Sequence, residues 1–182
     1  YRVQDGAPFS VTVDLGEMKS FEQVQAGVLE SKTRSFPVTY PKNIKIEYSS
    51  DKTNWSVFAQ EEIKEDGHGV KRFSFDSGAV NGRYVRLTFD FTNWLFLDDI
   101  NVYAKAVPVS GGTNPDDGAE YNLARNSNYI ISRQADYRNV PGLLTDGVYG
   151  ITGSVYDTNW TGFKYSYNNK SFNKMWMDFD LG

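Results

Sequence analysis

The chain has no cysteine and a single histidine, His68, among its 182 residues. Without cysteine, neither a disulfide framework nor a thiolate metal site can form. The sequence also lacks a G-x-S-x-G motif, and His68 lies in the Gly-flanked turn EDGHG, which favours a solvated side chain over a catalytic base. Two carboxylates would suffice for a glycosidase, but the adjacent acidic pairs show no sign of a shared cleft. We therefore expect a protein without catalytic activity.

Long apolar runs and an excess of positive charge are also missing. No run approaches the roughly 20 apolar residues that span a membrane. The net charge of −4 provides no basic surface for nucleic acid and weighs against binding to acidic membranes. The first residue is Tyr1 and no apolar signal segment follows, so we expect any targeting segment to lie outside this chain. A secreted eukaryotic domain would more often contain disulfides, so their absence favours a bacterial source.

Period-2 alternation of apolar residues is the dominant pattern. It recurs at Val11–Leu15, Ile44–Tyr48, Val85–Phe89, Ile100–Ala104 and Met175–Leu181. No window shows the i, i+3, i+4, i+7 spacing of an amphipathic helix, and turn residues such as Asn81-Gly82 separate the alternating segments. The sequence therefore predicts an all-β, antiparallel β-sandwich, with fewer than about a tenth of its residues in helices.

The two ends of the chain are similar to each other. Residues Tyr1–Gly16 and Tyr165–Gly182 both run from a tyrosine, through a polar stretch, into an alternating segment that closes on Asp-Leu-Gly. A repeat about as long as the chain predicts tandem domains cut inside the repeat. Between the halves, residues 106–121 are rich in Pro, Gly, Asp and Asn and have no apolar periodicity, which is typical of a linker.

Two blocks of motifs resemble the discoidin, or coagulation factor 5/8 type C, domain superfamily. The first block contains VDLGEMKSFEQVQAGVL, IKIEYSSDKTNWSVF, GRYVRLTF and FLDDINVYA; the second contains NLARNSNY, LLTDGVYG, NWTGF and DFDLG. The blocks are most similar to bacterial secreted versions, in which LTDG comes early and the D-[DE]-I strand comes last. Here the order is reversed. The resemblance implies a discoidin-like jelly roll and covers nearly all of the chain except the linker.

The reversed order leaves two interpretations of the domain organisation. In one, residues 1–105 are the C-terminal part of one discoidin-like domain and residues 122–182 the N-terminal part of a second. In the other, residues 122–182 and 17–105 together form one domain. This domain would be circularly permuted within one chain, or completed by a domain swap between chains. Closely spaced termini, as in this family, are the condition under which permutation is tolerated.

The resemblance also implies a structural Ca²⁺. Related sugar binders hold this ion with the early Asp-Gly turn and an acidic residue of the last strand. The matching positions here are Asp146 of LTDG and Asp99 of LDDI, and the tight turn aims carbonyls such as that of Val148 inward. Hard oxygen ligands of this kind suit Ca²⁺. Because neighbours on a strand point to opposite faces, we expect at most one of Asp98 and Asp99 to reach the ion.

A carbohydrate site is expected in loops at one end of the sandwich, where aromatic side chains lie near arginine. Flat aromatic faces and polar hydrogen-bonding groups are what saccharide recognition requires. The candidate ligand-binding residues are Trp94, Arg34, Phe36, Tyr137 and Tyr149. By contrast, we expect Trp55 and Trp160, which lie in motifs of the family core, to be packed inside.

The predicted function is that of a non-catalytic carbohydrate-binding accessory module. Its parent would be a larger secreted bacterial protein, a polysaccharide-active enzyme, and its partners a polysaccharide and the other domains of that chain. The alternative is a structural or adhesion repeat that mediates protein or cell-surface contacts without a sugar pocket. Self-association by domain swapping is expected only if the two blocks complete each other between chains.

Overall fold

The computed structural model describes residues 8–33, 36–64, 69–105 and 122–165. The strands in these ranges are β1 (Phe9–Thr33), β2 (Phe36–Val38), β3 (Asn43–Ser49), β4 (Ser56–Glu62), β5 (Gly69–Asp90), β6 (Trp94–Tyr103), β7 (Asn128–Ile131) and β8 (Thr161–Lys164). The described ranges contain no α-helix, and thus none long and apolar enough to cross a membrane. The all-β prediction is therefore confirmed. His68, the linker and the expected strand Met175–Leu181 lie outside the described residues.

Two long strands, β1 and β5, connect the layers of the structure. They pair antiparallel from Phe9↔Phe89 to Glu30↔Gly69, and the register shifts between Asp14 and Lys19. Such irregularities bend a strand pair and increase its twist. Gly16 lies in the bend with a φ of 84°, a left-handed conformation that glycine adopts without steric cost. Each long strand therefore contributes one half to each of two packed layers.

The two halves of β1 and β5 have different neighbours. The first layer has the order β4-β3-β5-β1-β7, and the second contains β1, β5, β6 and β8, with β2 beside β1 and β6. All of these pairs are antiparallel except β2 with β6. The result is a sandwich-like arrangement of mixed sheets, in agreement with the predicted fold class.

The main core lies between the two layers. Val11 and Val13 from the first half of β1 join Val24, Ala26 and Val28 from its second half in one buried cluster. In the first half, the intervening residues are partly exposed, as period-2 alternation requires. The second half is buried on both faces, and its Leu29 belongs to a separate buried cluster with Trp160. Burial of each such side chain contributes about 1.5–3 kcal/mol.

The C-terminal block packs against the N-terminal one. Strand β7 pairs with β1, with Val11 opposite Ile131, and β8 pairs with β6, with Leu95 opposite Phe163. The rings of Phe9 and Phe163 are 3.9 Å apart. Residues 122–165 thus supply edge strands and core side chains to residues 8–105. The assignment of the blocks to parts of two tandem domains, or to one permuted domain, stays a prediction.

Candidate functional site

An aromatic surface covers a small, separate core cluster in the second layer. The buried members of this cluster are Leu29, Val38, Phe96 and Trp160, and Trp94, Tyr137 and Val155 pack against it while partly buried. The Phe96 ring lies 6.0 Å from that of Trp94 and 5.5 Å from that of Tyr137. Two of the predicted ligand-binding residues, Trp94 and Tyr137, therefore lie on the same support.

Trp94 is positioned by the start of β6. Asn93 precedes it with a φ of 68°, a conformation that asparagine tolerates better than most residues. The Trp94 carbonyl then accepts a hydrogen bond of 3.1 Å from the backbone N–H of Thr39. Lys164 lies opposite Trp94 in the pairing of β6 with β8, and its Nζ atom is 6.0 Å from the indole centroid. Trp94 is thus partly exposed and has a cation beside it.

A polar loop adds a third aromatic residue that sequence reasoning missed. Tyr156 is 79% exposed, and its neighbour Val155 packs on the cluster beneath Trp94 and Tyr137. We refer to Trp94, Tyr137 and Tyr156 as the aromatic platform. The sequence feature that could have identified Tyr156 is its place inside the turn-rich segment TGSVYDTNW, because loops of this composition lie on the surface.

Asp157 holds the loop of Tyr156 in shape. Its Oδ2 atom accepts hydrogen bonds from the backbone of Ile151 (3.3 Å) and from the backbone and hydroxyl of Thr152 (3.2 and 3.0 Å), while Oδ1 accepts one from Asn159 (3.1 Å). Burial alone would raise the pKa of Asp157, but the hydrogen bonds from Asn159 and Thr152 outweigh it and lower the pKa. The ionised carboxylate therefore fixes the loop at neutral pH.

Arg138 connects this loop to Tyr137. Its Nη2 atom donates a 3.1 Å hydrogen bond to the Tyr156 carbonyl, and its Cζ atom lies 5.4 Å from the centroid of the Tyr137 ring. The backbone φ of Arg138 is 49°, which is uncommon for a residue other than glycine. Arg138 follows Tyr137 in a loop with the composition of a saccharide site, but the sequence gives no indication of its contact with the Tyr156 carbonyl.

Of the other predicted ligand-binding residues, Tyr149 is not part of the platform. The expectation that Tyr149 lies in an exposed loop is wrong: it is only 7% exposed. The Arg72 guanidinium lies 3.6 Å from the centroid of the Tyr149 ring, and the Tyr149 hydroxyl is 3.0 Å from the Asn101 amide. Arg34 and the side chain of Phe36 lie outside the described residues.

The two tryptophans expected in the core behave differently. Trp160 is fully buried, which confirms that prediction. Trp55 is partly exposed, and the Arg86 guanidinium lies 3.9 Å from its ring centroid. Its Nε1 atom donates to the Lys52 carbonyl at 2.9 Å, so the indole closes a turn on the surface. The expectation of a core role for Trp55 is therefore wrong.

A buried ion pair lies behind the turn that contains Asp146. Arg72 Nη2 donates to both carboxylate oxygens of Asp98, at 3.0 and 2.9 Å, and Nη1 donates to the Asp99 carbonyl at 3.0 Å. Asp98 Oδ2 also accepts a 3.1 Å hydrogen bond from the backbone of Gly150. The Arg72 and Asp98 side chains are only 5% and 0% exposed. The pair therefore joins β5, β6 and the segment after Asp146 in the interior.

Both Asp98 and Asp99 reach this segment, and the expectation that at most one of them reaches the ion stays a prediction. Between the pairs Val28↔Leu97 and Ala26↔Ile100, strand β6 has one residue more than β1. This β-bulge interrupts the alternation of faces. Asp99 Oδ1 accordingly accepts a 3.1 Å hydrogen bond from Gly147, while Asp98 binds Gly150.

The environment of Asp99 suits a hard cation. Burial raises the pKa of Asp99 well above its usual range. The hydrogen bond from Gly147 lowers this pKa, whereas the neighbouring Asp98 and Asp146 charges raise it further. Burial likewise raises the pKa of Asp146, whose Oδ1 atom accepts a 2.8 Å hydrogen bond from the Val148 backbone N–H. No three His, Cys, Asp or Glu side chains are grouped for a metal among the described residues. A cation here would therefore need carbonyl oxygens in addition to the two carboxylates.

Comparisons with known proteins give one family and several solved structures. The F5/8 type C domain family matches residues 2–96, and no curated protein matches the chain. CpGH89CBM32-6 of Clostridium perfringens is 26% identical with a TM-score of 0.43, over 55% of this chain and 71% of that one.

Two further structures are similar over about half of the chain. The C-terminal domain of a Bacteroides fragilis chitobiase is 17% identical, with a TM-score of 0.40 over 57% of this chain and 68% of that one. CpGH89CBM32-5 of C. perfringens, in complex with GalNAc-β-1,3-galactose, is 16% identical with a TM-score of 0.35. That alignment covers 47% of this chain and 56% of that one.

Proposed function

This chain belongs to the F5/8 type C domain family, and we propose that it is a non-catalytic carbohydrate-binding module. Its parent would be a larger secreted bacterial protein, a polysaccharide-active enzyme, whose other domains are its partners in the chain. The observation that supports this proposal best is the aromatic platform. Trp94 and Tyr137 share one buried support, and the exposed Tyr156 lies in a loop that Asp157 fixes and that Arg138 contacts.

The chemistry of the platform suits a saccharide. Pyranose rings present C–H faces that pack on aromatic rings, while their hydroxyl groups need donors and acceptors nearby. Arg138 and Lys164 supply donors beside Tyr137 and Trp94. The platform is a surface rather than a deep pocket, so we expect dissociation constants from about 100 μM to millimolar, or roughly −4 to −6 kcal/mol. Several copies in one parent protein would strengthen retention on a polymer through avidity.

A glycan array followed by affinity electrophoresis in polysaccharide gels tests this function. GalNAc-β-1,3-galactose is a suitable first soluble probe. We expect retention of the wild type by at least one saccharide and a loss of retention in Trp94→Ala. Trp55→Ala is the matched control, since it removes a second partly exposed indole from a different turn. If no saccharide retains the protein, or Trp55→Ala is impaired as much as Trp94→Ala, the structural or adhesion repeat replaces this function.

We also propose that Asp99, Asp146 and the Val148 carbonyl hold a structural Ca²⁺. The support is the buried Asp99 carboxylate beside the partly buried Asp146, whose charge adds to the rise that burial causes in the Asp99 pKa. The ion would neutralise these charges and fix the turn that precedes the platform loop. Because a ligand of the native state stabilises it, chelation should lower the melting temperature, and Asp146→Ala should abolish that response. An unchanged melting curve after chelation would contradict the site.

For the domain organisation, we propose that residues 122–182 and 17–105 form one permuted sandwich within a single chain. The pairing of β8 with β6 supports this arrangement, whereas β7 pairs with Val11–Asp14, which lie outside residues 17–105. Sedimentation analysis should then find monomers over a wide range of protein concentrations. Stable dimers that persist on dilution would favour the domain-swapped alternative.

A further inference from the structure

Arg138 differs from the other arginines of the described residues in its electrostatic surroundings. Each of the others has a carboxylate nearby: Arg72 with Asp98 at 2.9 Å, Arg83 with Asp14 at 2.8 Å, Arg86 with Glu47 at 2.8 Å, Arg133 with Asp136 at 3.9 Å, and Arg125 in electrostatic contact with Asp146. Arg138 forms no ion pair within the part of the chain that the structure describes. It is nevertheless partly buried, and a partly buried charge normally has a counter-charge.

The Arg138 guanidinium is held in place without being neutralised. The hydroxyl of Thr161 donates a 3.0 Å hydrogen bond to the Arg138 carbonyl, and Nη2 donates to the Tyr156 carbonyl. The Nε atom is buried and has no hydrogen-bond partner. In the described residues Nη1 contacts no acceptor either. The side chain is therefore oriented against the platform, with hydrogen-bonding capacity and a positive charge left over.

A second cation lies at the other aromatic residue of the platform. Lys164 is exposed, its Nζ atom is 6.0 Å from the Trp94 ring, and no carboxylate of the described residues pairs with it. One acid on this edge is Asp136. Its Oδ2 atom already accepts the Lys164 backbone N–H at 2.8 Å and is 3.9 Å from Arg133. Two cations that pair with no carboxylate of the described residues thus flank the platform, in a chain whose net charge is −4.

We propose that the saccharide bound at the platform is acidic and carries carboxylate or sulfate groups. This inference rests on the proposed carbohydrate-binding function and adds the substrate class. The planar Arg138 guanidinium would bind one anionic group, the Lys164 ammonium would attract a second along the polymer, and the sugar rings would pack on Trp94, Tyr137 and Tyr156. Charge-assisted hydrogen bonds to anions are stronger than those to neutral hydroxyls. The two cations therefore select acidic over neutral chains.

Matched pairs of polymers test the proposal by affinity electrophoresis at about 0.15 M salt, which screens non-specific attraction. The pairs are polygalacturonate with its carboxyl-reduced form, and dextran sulfate with dextran. We expect the wild type to bind at least one acidic polymer about tenfold more tightly than its neutral partner. Arg138→Gln and Lys164→Gln should each remove most of this preference, a loss of roughly tenfold. Which acidic polymer is retained distinguishes carboxylate from sulfate.

Lys52→Gln is the control, because it also removes a cation from above an aromatic ring, at 4.6 Å from Tyr84. Lys52 follows the Ser49 end of β3. Trp94 comes shortly after Asp90, which pairs with Asn43 at the other end of β3. The control cation therefore lies at the opposite end of this strand from the platform. Equal binding to acidic and neutral polymers overturns the acidic class alone. A loss in Lys52→Gln as large as in Lys164→Gln also overturns it. Binding to none of these polymers overturns the acidic class too, whereas the carbohydrate function itself fails only if no saccharide of the glycan array retains the protein. If melting curves show that Arg138→Gln is unfolded, the exposed Lys164→Gln variant decides.

Discussion

Replacing Gly27 with alanine should be one of the most damaging single-methyl changes in this protein. A Cβ atom at Gly27 would lie 1.9 Å from Oδ1, 2.5 Å from Cγ and 2.6 Å from Oδ2 of Asp98. Heavy atoms in contact are normally about 3.5–4.0 Å apart. The carboxylate would therefore have to move by more than about 1 Å or the strand would have to shift.

Asp98 has little freedom to move away. Its oxygens accept two hydrogen bonds from Arg72 and one from Gly150, all between 2.9 and 3.1 Å, and its side chain is fully buried. Breaking a buried ion pair costs about 3–5 kcal/mol. Replacing glycine with alanine in a strand returns about 0.5–1 kcal/mol of backbone entropy. The expected net loss of unfolding free energy is about 2–4 kcal/mol.

Urea denaturation at 25 °C, followed by tryptophan fluorescence, measures this loss. With a slope of about 2 kcal/mol per molar urea, the midpoint should fall by about 1–2 M. The control is Gly82→Ala, whose new Cβ atom would meet ordinary contacts with Tyr48 at 3.4 Å and Phe21 at 3.5 Å. It should change the stability by less than about 0.5 kcal/mol. In an Asp98→Ala background the Gly27→Ala penalty should largely vanish, because the overlapping group is gone. A Gly27→Ala midpoint equal to that of the wild type would refute the reasoning.

Further predictions concern the cluster below the platform and the loop beside it. Trp160→Ala should cost about 3–5 kcal/mol in the same denaturation assay, because the indole is fully buried. Asp157→Ala should weaken saccharide binding with little change in overall stability, since it removes the hydrogen bonds that shape the Tyr156 loop. The lowered pKa of Asp157 means that its stabilisation of the loop is present at neutral pH and is lost as the pH falls through that pKa. Amide spectra of residues 151–159 during an acid titration would show this transition.

Much of the fold was predictable because it depends on local alternation. Val11, Val13 and Leu15 are buried as the period-2 pattern requires, and the family resemblance agrees with the matched family. The continuity of β1 across Gly16 was not predictable in the same way. The bend depends on the pairing of β1 with β5, and the bulge at Asp98 and Asp99 depends on the pairing of β6 with β1. Register of this kind is set by contacts between residues far apart in the sequence.

The candidate site was only partly predictable for a related reason. Trp94 and Tyr137 were identified as aromatic residues near loop signals, and they do lie on one cluster. Tyr149 has the same local signals, but Asn101, Tyr103 and Arg72 enclose it in the interior. The structure adds that Arg138 has no acidic partner among the described residues, which the sequence alone does not show. Residue type and loop composition indicate an aromatic surface, whereas burial and charge compensation decide which side chains belong to it.

The central claim is that saccharide binds at Trp94, and the indole N–H signals of a ¹⁵N-labelled sample test it most directly. The chain has four tryptophans, so the signals can be assigned by single replacements. During titration with the saccharide selected on the array, the Trp94 signal should shift progressively and saturate, while those of Trp55 and the buried Trp160 stay in place. A titration that leaves Trp94 unchanged while the saccharide binds, or that shifts Trp55 instead, would contradict the account.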